Sequence, residues 1–167
     1  PNFTLYAEAQ YRRYALKNWD YFIMKNGVAN ELSLKFSFGR STIDQPIYST
    51  RGSEFSFTTT FTPPYSLWDG VDYADKNLSD AQRYKWIEYH RWELKTRWFQ
   101  ALTRDSKLVL MAKAEMGYLG HYNKHKVSPF QRFEIGGDGM SGYTMYGVDI
   151  IGLRGYEDGA LDPGNNY

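Results

Sequence analysis

The chain has 167 residues, no cysteine and a formal net charge of +1; this is one domain's length or less and excludes disulfides and a long-range pull on nucleic acid. Aromatic residues make up 18%, with 15 Tyr, 10 Phe and 5 Trp, yet mean hydropathy is −0.62, as expected where lipid-facing and polar residues alternate. No run nears the ~18 apolar residues of a membrane helix.

Residues 3–14 alternate, with Phe3, Leu5, Ala7, Ala9 and Tyr11 on one side and Thr4, Tyr6, Glu8, Gln10 and Arg12 on the other. A period of two predicts a strand. Residues 15–30 contain Asn26-Gly27, a turn signal, and predict a loop that extends the flanking strands. Residues 31–40 alternate again, Leu32, Leu34, Phe36 and Phe38 against Ser33, Lys35, Ser37 and Gly39. Residues 41–53 predict a turn, broken by Pro46 and Gly52. Residues 54–62 set Phe55, Phe57, Thr59 and Phe61 against Glu54, Ser56, Thr58 and Thr60. Pro63-Pro64 ends this strand, because proline cannot donate to the ladder.

Residues 63–83 predict a long loop. Residues 84–99 predict a strand: Trp92, Leu94, Thr96 and Trp98 lie on one face, and Arg91, Glu93, Lys95 and Arg97 on the other. A helical reading gives no coherent apolar stripe. Glu88 and His90 fall on the Trp face by parity and are expected to stand in water above a membrane. Residues 100–106 predict a short turn. Residues 107–119 set Leu108, Leu110, Ala112, Ala114 and Met116 against Val109, Met111, Lys113, Glu115 and Gly117.

The expected architecture is all-β, with about five antiparallel strands. Short turns at 41–53 and 100–106 alternate with longer loops at 15–30, 63–83 and from 120 onward. That asymmetry is the transmembrane β-barrel pattern, with short turns inside and long loops outside. Even the smallest barrels need about eight strands, and open sheet edges are not tolerated in lipid. The chain also begins at Pro1 without Met, so it is expected to be an internal piece of a larger barrel. From alternation alone, the charged faces suit either a barrel lumen or the solvated side of a soluble sheet.

The most informative stretch follows. Pro129-Phe130-Gln131-Arg132-Phe133-Glu134-Ile135-Gly136-Gly137 precedes a Gly/Tyr-rich insert, Asp138 to Gly152, and then Leu153-Arg154-Gly155-Tyr156. Loops of this length are functional or disordered, and the density of Phe, Tyr, Ile and Leu argues against disorder. The stretch resembles the sixth extracellular loop of BamA-like outer-membrane assembly barrels, whose signature is Val/Leu-Arg-Gly-Phe/Tyr. The insert is longer than in the shortest family members.

The resemblance implies an antiparallel barrel, sixteen-stranded in that family and preceded by periplasmic POTRA domains. Residues 1–167 would form its central part, and 120–167 an extracellular loop folded back inside. The implied function is folding and inserting β-barrel proteins into the bacterial outer membrane, without covalent chemistry or a cofactor. The implied partners are outer-membrane lipid, unfolded outer-membrane proteins and accessory assembly subunits. Leu153, Arg154, Gly155 and Tyr156 would form the loop tip, with Arg154 contacting the barrel wall. Phe130, Phe133, Gly136 and Gly137 would support the loop. Lys35, Arg91, Glu93, Lys95, Arg97, Lys113 and Glu115 would line the lumen. A secretion pore of the same superfamily shares the motif, and a porin-like transport barrel shares the strand pattern.

Other readings carry less. The tryptophans Trp19, Trp86, Trp92 and Trp98 suit interface girdles, whereas Trp68 lies in a loop. His121 and His125 are spaced i, i+4, which brings two ligands together only on a helix, and here they sit in a Gly/Asn/Lys loop. Glu134 and Asp138, or Glu157 and Asp158, lack the cleft that acid–base work needs. Gly136-Gly137-Asp138-Gly139 lacks the lysine and the strand-to-helix context of a nucleotide site. The basic and aromatic residues between Tyr84 and Trp98 resemble a single-strand nucleic-acid platform, but the scattered acids and the net charge oppose it.

Overall fold

The computed structural model describes residues 2–18, 24–137, 148–157, 161, 164, 166 and 167. Trp19 and the stretch from Asp138 to Gly147 lie outside the described residues.

The strands β1 (Asn2–Leu16), β2 (Gly27–Ser41), β3 (Arg51–Phe61), β4 (His90–Ala101) and β5 (Val109–Gly120) form one sheet in sequence order. Each pairs antiparallel with the next. Register places Glu8, Lys35, Thr60, Arg91 and Leu119 across one row of one face. The next row, Ala9, Leu34, Phe61, His90 and Gly120, belongs to the other face. Because side chains alternate, the sheet has one charged face and one largely apolar face. On the apolar face Leu5 is 81% and Phe3 63% exposed, while Leu34, Phe36, Phe38, Leu110 and Met116 are about half exposed.

Strands β1 and β2 are 15 residues each, about 50 Å at ~3.4 Å per residue, against the ~9–11 residues a tilted membrane strand needs. They therefore reach into 15–30, β1 to Leu16 and β2 from Gly27, as the loop reading of that stretch anticipated in part.

Both short turns are built by local carboxylates. Between β2 and β3, Asp44 accepts from the N–H groups of Gln45, Thr50 and Arg51 and from the Thr50 hydroxyl. These bonds hold its carboxyl down at about 2, the Thr50 hydroxyl bond contributing most. Gly52 opens β3 with φ +105°, and a Cβ there would collide with the Thr42 carbonyl. Between β4 and β5, Leu102 donates to Leu108 across the turn, and Asp105 pairs with Lys107 at 3.2 Å.

At the opposite end, β3 stops at Phe61 while β2 continues, so β2 from Gly27 to Ser33 has no β3 partner. The chain after β3 passes through a 3₁₀ turn (Tyr65–Leu67) and a one-turn helix α1 (Asp80–Arg83) capped by Ser79. It then fills the open edge: Asn30 N–H donates to Lys85, and Ile87 N–H donates to Asn30. Backbone groups on an enclosed strand need partners, and residues 85–87 supply them. This corrects the expectation of a strand from residue 84. Strand β4 begins at His90, and Glu88 is buried rather than in water. His90 is half-buried, and its Nδ1 accepts the Trp92 indole N–H at 2.9 Å.

The core lies at this long-loop end, on the charged-face side. Met24, Ala29, Tyr84, Ile87, Tyr89, Leu119, Phe130 and Phe133 pack together there. Phe130 and Phe133 belong to the long loop, which thus folds back against the sheet. Two short strands interrupt it: β6 (Arg132–Ile135) pairs parallel with β7 (Val148–Ile151). The loop reading from residue 120 onward did not anticipate them.

Candidate functional site: the charged face and the loop laid on it

Each sheet strand carries one carboxylate, Glu8, Glu31, Glu54, Glu93 and Glu115, and all of them sit on the charged face. Cations oppose them across strands. Register sets Glu8 against Lys35, Glu31 against Arg12, Glu54 against Arg97 and Glu115 against Lys95. Arg97 donates its Nε to Glu54 at 2.9 Å. Lys113 meets Glu115 at 3.0 Å and Arg91 meets Glu93 at 3.2 Å. Lys35, Arg91, Glu93, Lys95, Arg97, Lys113 and Glu115 therefore share one face. Opposite charges placed directly across strands each add a few tenths of a kcal/mol up to about 1 kcal/mol. The mixture also leaves the wall near neutral.

At the long-loop end this face is covered. Phe130 stacks on Tyr14, centroids 4.7 Å apart with planes 10° from parallel. Ser128 shapes the approach: its hydroxyl accepts the Phe130 N–H and donates to the Phe130 carbonyl. Gln131, at φ +65°, accepts from Arg91 at 3.2 Å. The Arg91 guanidinium lies 4.4 Å from the centre of the Phe133 ring, a stacking contact that arginine makes well. Of the residues assigned to the lumen wall, Arg91 is thus the one that the loop seals; it is 8% exposed.

Beneath the loop lies a polar cavity of about 150 Å³, lined by Glu8, Arg12, Glu31, Lys35, Tyr89 and Arg91 among others. Glu31 is enclosed at its edge. Its carboxylate accepts the hydroxyls of Tyr89 at 2.7 Å and Tyr14 at 3.0 Å. A buried carboxylate needs such donors. Tyr14, Glu31 and Tyr89 were missed in the sequence, where Glu31 reads only as the first residue of a strand.

The motif Leu153–Tyr156 forms a tight turn, closed by the Tyr156 N–H donating to Leu153 at 3.2 Å. Gly155 occupies its third position at φ +91°, where a type II turn demands glycine. Among the described residues no atom lies within 4 Å of where its Cβ would stand, so there the glycine serves conformation rather than close approach. Gly136 and Gly137, also at positive φ, receive this turn. Gly136 N–H donates to Ile151, Gly137 N–H to Tyr156, and Leu153 N–H to Gly137. The two halves of the motif, far apart in sequence, therefore meet. Leu153, Arg154 and Tyr156 are exposed, and among the described residues Arg154 has no ion-pair partner.

A second fastening joins the long loop to residues 62–89. Lys126, 2% exposed, donates to the Tyr73 hydroxyl at 3.0 Å and lies 3.7 Å from Glu88. Glu88 also accepts the Ser66 N–H at 2.8 Å and its hydroxyl at 2.5 Å. Burial pushes the Lys126 ammonium below its ordinary pKa, while Glu88 and Asp69 oppose that shift. Burial and the Asp69 carboxylate push the Tyr73 hydroxyl up. Nothing in the sequence flagged Lys126, since lysine is rarely buried.

Of the tryptophans, Trp98 is 44% exposed on the apolar face near the short-turn end. Trp92 packs on Phe57 and Phe61, and Trp86 stacks on Tyr65. Trp68 is exposed in its loop. His121 and His125 lie in the loop after β5, and the His125 carbonyl accepts from Arg83 at 2.8 Å.

Comparison with curated proteins yields no match. The family model of the Omp85 superfamily domain matches residues 2–167. The sheet is charged on one face, largely apolar on the other and overlain on its charged face by its own loop, and the chain belongs to the Omp85 superfamily.

Proposed function

We propose that the chain is the central part of a BamA-like barrel that folds and inserts β-barrel proteins into the bacterial outer membrane. Residues 120–167 serve as its extracellular loop, and the barrel is sixteen-stranded. The superfamily includes both insertases and secretion pores. The joining of Gly136-Gly137 to the Leu153–Tyr156 turn, on an arm laid over the charged face, supports the loop reading that insertases and secretion pores share, and the choice of insertase rests on the resemblance of the motif. A hydrogen-bonded turn that presents an exposed arginine suits a tip that engages the barrel wall. The task is physical rather than covalent: incoming strands must pair their backbone groups within lipid. The protein is accordingly no enzyme and uses no cofactor. Its partners are lipid, unfolded outer-membrane proteins and accessory assembly subunits, not nucleic acid.

An insertion assay on the full-length protein, with hydrogen-exchange protection of residues 150–157, tests this. Arg154→Ala should lower insertion, and Arg154→Lys should restore it only in part, because the planar guanidinium fork is poorly replaced by an ammonium. Gly155→Ala should lower protection, since its φ disfavours a Cβ. Unchanged insertion and protection in Arg154→Ala would refute the assignment. A secretion pore of the same superfamily is the second reading. The mixed-charge wall favours it, since such a wall suits a water-filled lumen, and loss of protein export rather than of insertion would identify it.

A further inference from the structure

All the strand carboxylates of the sheet lie on the charged face. The apolar face also carries charge, but of one sign and one residue type. By register Arg13, Arg40 and Arg51 are on it, and no Asp, Glu or Lys is. Arg13 and Arg40 are exposed, and among the described residues neither has an ion-pair partner. The Arg40 guanidinium lies 5.6 Å from the centre of the Phe3 ring, and an arginine stem can cover apolar surface while its head reaches a polar layer.

Their spacing is informative. Arg40 sits opposite Phe3 on β1, and Arg13 lies ten positions further along that strand. Ten residues at ~3.4 Å give about 34 Å, and a strand tilt of ~35–45° reduces this to about 24–28 Å along the membrane normal. The outward apolar band of such barrels is about 25 Å tall. Between the two arginines this face shows only Leu5, Ala7, Ala9 and Tyr11 on β1 and Leu32, Leu34, Phe36 and Phe38 on β2. Arg13 and Arg40 thus stand at the two edges of the band, at headgroup depth on either side, and Arg51 lies beyond the lower edge.

We propose that Arg13 and Arg40 bind the phosphate groups of membrane lipids, one in each leaflet, and so fix the height of this wall in the bilayer. The proposal rests on the reading that the apolar face meets lipid. Guanidinium matches phosphate in a two-point geometry. The absence of any carboxylate from the face removes competition for that role.

The test uses full-length protein in vesicles of phosphatidylcholine with phosphatidylglycerol. A fluorophore is attached at Ala9→Cys or Leu5→Cys, and nitroxide-labelled phosphatidylglycerol or phosphatidylcholine is the quencher. The anionic quencher should be enriched about fivefold at each probe, the ratio expected for one near-surface arginine. Arg13→Gln should abolish the preference at Ala9, Arg40→Gln should abolish it at Leu5, and raised salt should weaken both. Equal quenching by the two lipids, unchanged by the substitutions, would overturn the phosphate role while leaving the lipid-facing reading intact. Absence of quenching by either lipid would overturn both. Unaltered heat-modifiable migration of the barrel verifies that each variant is folded.

Discussion

The ring of Tyr167 lies directly on Gly117, and the two residues exchange backbone hydrogen bonds of 3.1 Å in each direction. Phe133 meets the same ring edge-on, with centroids 4.8 Å apart. A Cβ at Gly117 would run into both rings. One glycine thus seats the returning chain on β5 and the loop on the wall. Gly117→Ala should destabilise the barrel by about 1–3 kcal/mol, the cost of overpacking a filled site. Gly39→Ala, whose Cβ would find its nearest neighbour at 3.7 Å, should cost far less. Denaturant unfolding of both variants in the full-length protein checks the ranking, and equal costs would show that the Tyr167 contact is incidental.

The Lys126–Glu88 pair makes a different prediction. Removing one partner of a buried pair leaves an uncompensated charge, typically at ~3–5 kcal/mol. Lys126→Met should therefore release the loop from residues 62–89, seen as faster proteolysis near Arg83. Adding Glu88→Gln should recover part of the loss, because the amide still accepts from Ser66 without carrying charge. If the double variant were cleaved as fast as the single one, charge burial would not be the cause.

Facing is testable by a pair of neighbours. Leu94 is on the apolar face and Lys95 on the charged face, opposite Glu115. A charge at mid-membrane on the lipid side costs roughly 2–4 kcal/mol, whereas lumen changes cost little. Leu94→Arg should impair barrel assembly more than Lys95→Leu, as read by the yield of folded barrel. The reverse order would mean that the faces are exchanged.

The turn between β2 and β3 should respond to acid through Asp44. Its carboxyl titrates at about 2 in the folded chain against an ordinary 3.8. A depressed carboxyl contributes order above its ordinary value and loses it as pH falls through the folded one. Amide exchange at Thr50 and Arg51 should stay slow down to pH 4 and quicken as pH falls toward 2. Asp44→Asn should flatten that response. A response centred at pH 4 or above would show that the turn does not hold the carboxylate.

Much of this architecture was legible in the sequence, because a strand's period of two is a local property. Leu32, Leu34, Phe36 and Phe38 announce one face of β2 without reference to any other strand, and the long and short connections announce the ends. Alternation says which side a residue takes, not what will stand above it. Only tertiary structure decided that Arg91 lies under Phe133 and Gln131, that Phe130 stacks on Tyr14, and that Gly137 receives the Leu153–Tyr156 turn. Residues 84–89 misled by pattern: their backbone is drawn to the edge of β2 that β3 leaves open, and Glu88 is carried inward with it. Burial of Lys126 was likewise invisible, because its partners Glu88 and Tyr73 come from another loop, and a charge becomes tolerable in the interior only when such distant groups converge on it.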